Sequence, residues 1–425
     1  MSRALALIDG EHYAPVVRDA LAEMPHEVVG ALLVGGTEKL RGDDDYGVPI
    51  VKELEEALAT FEPEVAVDLS DEPVLGPVER FRLASRILAA GIAYEGADFS
   101  LRPPEFEPFE LPSLAVIGTG KRMGKTAVTG YAARLFAERH DLVVVSMGRG
   151  GPPEPEVAEM SPTVEDLLEL SRGGAHAASD YLETAALAGV PTVGCRRAGG
   201  GLAGAPWATN VSAGMRKALD RDPELVLFDG SGAAIPPVEA RGRILVAGAH
   251  QEPGLVTGYL NAYRILISDL VVLTMAEDGT DHEAVASAVA EVKEIPIVAT
   301  VLRPRPVKEV DGKRVAFFTT AKPEAAPRLE QHLVDEHRAA EVAVSTNLSN
   351  RDELRKDLED ADADVYLVEI KAAAIDVVCE AAEESGIEVV FADNDVITLP
   401  GQPDLDERLL ELAERVTARP KEAVA

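Results

Sequence analysis

The sequence predicts an α/β protein built on mostly parallel sheets, and three features lead there. Short apolar runs alternate with helical stretches along nearly all of its 425 residues, the rhythm of strand–helix–strand crossovers. Many of these runs end in loops bearing glycine and carboxylate, as parallel strands do on the side where ligands gather. One such loop, residues 118–126, joins an apolar strand to an Ala-rich helix and closes in Gly124-Lys125-Thr126. Strand, glycine loop, Lys-Thr and helix, in that order, make a phosphate-binding loop. The fold class is therefore α/β: a P-loop nucleotide-binding domain with a parallel sheet, preceded by a smaller α/β domain and followed by a C-terminal α/β lobe.

Residues 1–100 form the first domain, with strands at 3–8, 28–34 and 65–69 and helical patterns from Pro15 and over 79–90. Residues 101–112, LRPPEFEPFELP, are Pro-rich, lack a period and read as a linker. The P-loop domain spans 113–335, with strands at 114–117, 142–146, 190–194, 225–229, 243–247, 269–274, 295–300 and 315–319. Residues 336–415, with shorter strands at 341–345, 365–370 and 387–391, form a C-terminal lobe or an extension of the sheet. Residues 416–425 read as a frayed tail.

Composition narrows the function. There are 74 acidic against 41 basic residues, a formal charge of −33, and such a surface repels nucleic acid and anionic membranes. No apolar run is long enough for a membrane span, and the start, MSRALALIDGEHY, lacks a signal-peptide pattern. A cytoplasmic protein acting on a small molecule is expected. Cys195 and Cys379 are far apart, form no ligand cluster and read as buried free thiols.

Within the loop, backbone N–H groups of Gly118, Thr119, Gly120 and Gly124 can surround phosphate oxygens while Lys125 reaches across the terminal phosphates. The spacing is one residue longer than standard, with five residues between Gly118 and Gly124. Thr126 offers a hydroxyl to Mg²⁺, and Asp229, ending the apolar run 225–228, is the strand-end carboxylate for the same ion. Gly230 and Gly232 leave room for phosphate beside it.

A second anion has candidate partners in the basic residues of the glycine loops: Lys121 and Arg122 inside the P-loop, Arg149 in SMGRGG, and Arg196 or Arg197 in GCRRAGGG. Lys371 and Glu369 are further candidates from the C-terminal lobe. Weaker ones are His176 with Asp180, His250, His282 near Asp278 and Asp281, the strand end Asp9-Glu11-His12, and the glycine turn 35–39.

Taken together, LALIDGEHY, LLVGGTEKLR, VIGTGKRMGKTAVTGY, SMGRGGP and VEIKAAAIDVV resemble the cyclic 2,3-diphosphoglycerate synthetase family over almost the whole chain. The longer loop is similar to that of dethiobiotin synthetase, although this sequence has Phe228-Asp229-Gly230 where that ligase has Glu-Gly. The resemblance implies ATP as nucleotide, Mg²⁺ as cofactor and 2,3-diphosphoglycerate as substrate. It also implies intramolecular closure of that substrate to a cyclic pyrophosphate, with release of ADP and phosphate. Lys125, Lys121, Arg122, Arg149, Arg196 and Arg197 would then serve the chemistry. A phosphoglycerate kinase-type transferase and a nucleotide-dependent switch are the competing expectations, and a homodimer is left open.

Overall fold

Buried apolar strands alternating with helices produce two sheets in this computed structural model, which describes all residues except 37, 42–44, 160, 175–176, 372–373 and 419–425. The chain divides into two units. The first comprises Met1–Glu105, Gln251–Ile267 and Ser287–Glu294; the second comprises Phe106–His250, Ser268–Ala286 and the chain from Ile295.

In the first unit, β1 (Arg3–Asp9), β2 (Glu27–Gly35), β3 (Ile50–Val51), β4 (Val65–Asp68), β5 (Ala93–Gly96) and β6 (Phe99–Leu101) form one sheet in the order β3-β2-β1-β4-β5-β6. All its pairs are parallel except β5–β6. Helices α1 (Ala14–Glu23), α2 (Leu54–Phe61) and α3 (Pro77–Ala89) connect the strands. β1 is buried from Ala4 onward, as a central parallel strand covered on both faces must be.

The second unit is built on β7 (Ser113–Gly118), β8 (Leu142–Gly148), β9 (Glu156–Ala158), β10 (Thr192–Ala198), β11 (Ala208–Thr209), β12 (Leu225–Asp229), β13 (Gly242–Gly248), β14 (Leu270–Thr274) and β15 (Ile297–Pro306). β16 (Arg314–Phe318), β17 (Glu341–Ser345), β18 (Val365–Glu369) and β19 (Glu388–Thr398) complete it. The order is β11-β10-β8-β12-β7-β13-β14-β15-β19-β18-β16-β17, with β9 beside β10. β19 runs antiparallel to β15 and parallel to β18, so the C-terminal strands extend the nucleotide sheet. Helices α4 (Lys125–Ala137), α5 (Val164–Arg172), α6 (Asp180–Ala188) and α7 (Val211–Leu219) follow its early strands. Among the described residues no helix is long and apolar enough to cross a membrane.

Four local outcomes differ from the sequence-based expectation. The strand near 315–319, placed above in the nucleotide segment, gives its hydrogen bonds to β17 and β18. The strand expected at 190–194 runs on to Ala198, because pairing with β8 reaches Arg196 opposite Gly148 and pairing with β11 holds Arg197 opposite Thr209. Arg196 and Arg197 thus lie on a strand end rather than in a loop. The expected linker is tethered at its far end, where Phe109 packs edge-on against Phe228 at 5.1 Å. The terminal helix Leu405–Thr417 keeps its last turn, with Leu405, Leu409, Leu412 and Val416 buried in the same core as β7 and α4. Its apolar stripe at helical spacing holds it there, so 416–417 are not frayed; residues 419–425 of the expected tail lie outside the described residues.

Candidate nucleotide and anion site

The phosphate loop is shaped by its glycines. Gly118 ends β7 and Gly124 caps α4 in the left-handed conformation, φ 74°. A Cβ on Gly124 would also lie 2.8 Å from Leu302 Cδ1, which would have to move aside, so the left-handed conformation is what calls for glycine here. Arg122 takes a positive φ of 64° as well, and Thr274 Oγ1 donates to the Met123 carbonyl at 2.7 Å, fixing the loop from β14. Thr126 follows Lys125 in the first turn of α4, whose N-terminal N–H groups and dipole favour an anion.

Lys125 Nζ donates to Asp229 Oδ1 at 2.5 Å, and both side chains are buried. Burial pushes the Asp229 carboxyl above its usual value, while the Lys125 charge and hydrogen bond oppose that. Two hydroxyls on neighbouring elements, Thr129 on α4 and Ser146 on β8, are buried and have no hydrogen-bond partner of standard geometry among the described residues.

Arg197 is anchored rather than free. It donates to the carbonyls of Gly199, at 2.6 Å, and of Ser231, tying the end of β10 to the loop after β12. Burial and nearby Arg149 hold its guanidinium below the usual value, and Asp180 works against them. Lys125, Asp229, Arg149, Arg197 and Asp180 are thereby gathered at the carboxyl ends of β7, β8, β10 and β12. Lys121, Arg122, Arg149 and Arg196 are exposed, and none has an ion-pair partner among the described residues. These four lie on or beside the glycine loops that end β7, β8 and β10, where their charge would favour an anion.

Two residues of α6 gain weight from the fold: Asp180, read in sequence only as a weaker candidate beside His176, and Glu183, which sequence reasoning missed. Asp180 lies against Gly148, where a Cβ would come 2.8 Å from Oδ2. Glu183, one turn later and buried, accepts from Lys371 Nζ at 2.9 and 3.2 Å. Burial pushes the Glu183 carboxyl up against the pull of Lys371. For Lys371 burial works against the ammonium, but Glu183, Glu369 and Asp180 outweigh it and raise its pKa. Lys371 also lines an open cleft of about 710 Å³ with Thr320, Ser349 and Arg351. A carboxylate at a helix start looks like an N-terminal charge in sequence; only the fold brings it to the end of β8.

The remaining candidates are held locally. Glu369 accepts from the Thr319 and Thr320 hydroxyls at 2.6 and 2.8 Å. Asp281 accepts from the Ala284 N–H at 3.0 Å, at the start of the helix His282–Val292. The His250 ring lies over Gly248 and beside Met123 Sδ in the space a Cβ would need, and burial lowers its pKa with help from Lys322. Asp9, Glu11 and His12 form a closed hydrogen-bonded turn. His176 and Thr37, within the expected pair and the 35–39 turn, lie outside the described residues. Both cysteines are free and buried, and burial pushes their thiols up to about 12.

Comparison with known proteins matches the chain to named relatives. Family models described as the N-terminal, P-loop and C-terminal domains of cyclic 2,3-diphosphoglycerate synthetase match residues 3–102, 113–304 and 306–395. The chain is 53% identical to the cyclic 2,3-diphosphoglycerate synthetase of Rubrobacter xylanophilus, covering 97% of each chain. It is 42% identical to the protein of that name from Methanothermobacter thermautotrophicus, covering 97% of this chain and 96% of the relative. The same identity, 42%, holds for the Thermococcus kodakarensis protein of that name, over 98% and 99%.

Proposed function

The chain belongs to the cyclic 2,3-diphosphoglycerate synthetase family, and on that premise we propose that it uses ATP to close 2,3-diphosphoglycerate into its cyclic pyrophosphate. The observation that carries this reading is the set of unpaired cations, Lys121, Arg122, Arg149 and Arg196, on and beyond a phosphate loop in a strongly acidic chain. A nucleotide alone needs fewer; a second polyanion accounts for the rest.

The reaction needs no protein nucleophile. An oxygen of one substrate phosphate attacks the γ-phosphorus of ATP, and ADP leaves. An oxygen of the neighbouring phosphate then attacks the inner, activated phosphorus, inorganic phosphate leaves, and the ring closes. Holding both phosphates of one molecule in place removes much of the entropy cost of a bimolecular encounter. Lys125 releases Asp229 and turns to the β- and γ-phosphates, while Arg149, Arg197 and Arg196 hold the substrate against its own charge repulsion. Lys121 and Arg122 stand between the two anions. The phosphates ionise near neutral pH, so no strong base is required.

The donor set fits Mg²⁺: the Thr126 hydroxyl and Asp229 carboxylate are hard oxygen donors. No group of three His, Cys, Asp or Glu among the described residues forms a cage, so phosphate oxygens and water would have to complete the shell of such an ion. Bound there, it would neutralise charge developing on the transferred phosphoryl group. We take the protein to act in the cytoplasm.

Phosphorus NMR of an incubation with ATP, Mg²⁺ and 2,3-diphosphoglycerate tests the proposal. The expected products are ADP, inorganic phosphate and a new cyclic pyrophosphate signal. A phosphorylated, uncyclised product would make it a kinase, and absence of small-molecule turnover would make it a nucleotide switch.

A further inference from the structure

Asp180 is a carboxylate at the site that the nucleotide reading leaves unused. Its side chain lies against Gly148 at the end of β8, and among the described residues it makes no hydrogen bond or ion pair. Ser146 stands two residues before Gly148, so the two point to the same face of the sheet. Its register partner on β12 is Asp229, which places the Ser146 hydroxyl on the face that carries both aspartates. Ser146 is 1% exposed, and its hydroxyl has no hydrogen-bond partner among the described residues. A buried hydroxyl with no partner among the described residues, on the sheet face that also carries two carboxylates, suits a place for an ion and its water. The electrostatic influence of Asp180 on both Asp229 and Arg197 agrees with this placement.

Charge points the same way. ATP brings about four negative charges and diphosphoglycerate about five near neutral pH. With Asp180 and Asp229 the site holds about eleven. The six basic side chains assigned above and one divalent ion supply only about eight positive charges. Arg197 and Lys371 feel the Asp180 charge, yet neither pairs with it among the described residues, so the excess would repel substrate unless a cation bridges the carboxylate and the phosphates.

We propose that Asp180, with the Ser146 hydroxyl turned to its water shell, holds a second hydrated divalent cation that screens the diphosphoglycerate phosphates. This ion is separate from the one assigned to Thr126 and Asp229. All its protein donors are oxygen, which favours Mg²⁺ or Mn²⁺ over thiophilic metals. The proposal rests on the functional reading above, because the second anion supplies the remaining ligands.

Mn²⁺ is the probe, counted by paramagnetic resonance during titration of the full chain saturated with ADP and 2,3-diphosphoglycerate. Wild type should bind two ions and Asp180→Asn one, with ADP affinity and melting temperature unchanged. Ser146→Ala should keep both ions and weaken one by roughly tenfold. A single ion on wild type, or two on Asp180→Asn, overturns the proposal. Asp229→Asn tests the functional reading separately, since it should lose the other ion. If it keeps both while Asp180→Asn loses one, the second site stands and the assignment of Asp229 fails.

Discussion

Asp9 and Asp229 occupy the same kind of position, the last residue of a buried strand in a parallel sheet, yet they are satisfied in opposite ways. Asp9 accepts the backbone N–H groups of Glu11 and Asp71 at 2.9 and 2.8 Å and lies 2.7 Å from His12 Nδ1. Burial pushes its carboxyl up, but these donors together outweigh burial and hold it below the usual range. Asp229 depends on side chains, chiefly Lys125 with the Thr129 hydroxyl as a lesser influence, and burial leaves its carboxyl raised. Backbone donors stay where the fold puts them; a lysine can leave. The first carboxylate is built into its turn, whereas the second is held ready for exchange when a polyphosphate arrives.

The sharpest way to break that comparison is Lys125→Ala. If Lys125 exchanges from Asp229 to phosphate, ATP-dependent cyclisation should fall roughly a thousandfold. Substantial turnover in this variant, measured as phosphate release, would mean the pair is structural after all. Asp229→Asn should cost roughly a hundredfold in kcat with little change in melting temperature, because it removes the burial cost of a raised carboxylate while its amide oxygen can still accept from Lys125. Asp9→Ala should do the reverse for stability, losing about 1–3 kcal/mol in urea unfolding as backbone donors lose their acceptor. Equal stability losses at the two positions would erase the distinction.

The same contrast has a pH signature. Because its folded pKa is depressed, Asp9 contributes stability that is present above the unfolded value of about 3.9 and lost as pH falls through the folded pKa. Asp229 has the opposite sign: its raised pKa means that protonation on acidification relieves a cost of burial. Unfolding free energy followed from pH 6 downward should therefore fall less steeply in Asp9→Asn than in wild type. An unchanged acid limb would show that the Asp9 hydrogen bonds persist in the unfolded chain.

This contrast also marks what the sequence could carry. The loop 118–126 and Asp229 are contiguous motifs, so strand, glycine, lysine and carboxylate were readable in order. The alternation of apolar runs with helices likewise marked the central strands of both sheets, though not β3, β5, β6, β9 or β11. Asp180 was readable only as a weak partner of His176 and Glu183 not at all, because their role depends on which strand end α6 packs against. Nor does local sequence reveal that Leu405–Thr417 returns to the core of β7, or that β19 joins the C-terminal strands to β15. Those facts are set by long-range packing, which a local period does not encode.

Glu183 is the intermediate case. Like Asp229 it is buried and held by one lysine, but Lys371 comes from β18's end and the pair joins the C-terminal strands to α6. If the pair positions Asp180, Lys371→Met should lower kcat by roughly tenfold and leave the KM for ATP unchanged. Lys371→Arg should recover most of that loss by keeping a cation beside Glu183. The double variant Glu183→Gln with Lys371→Met should be better folded than Lys371→Met alone, since it no longer buries an unpaired acid. A drop in melting temperature with kcat intact would place Glu183 with Asp9, as a carboxylate that holds the fold and leaves the chemistry to others.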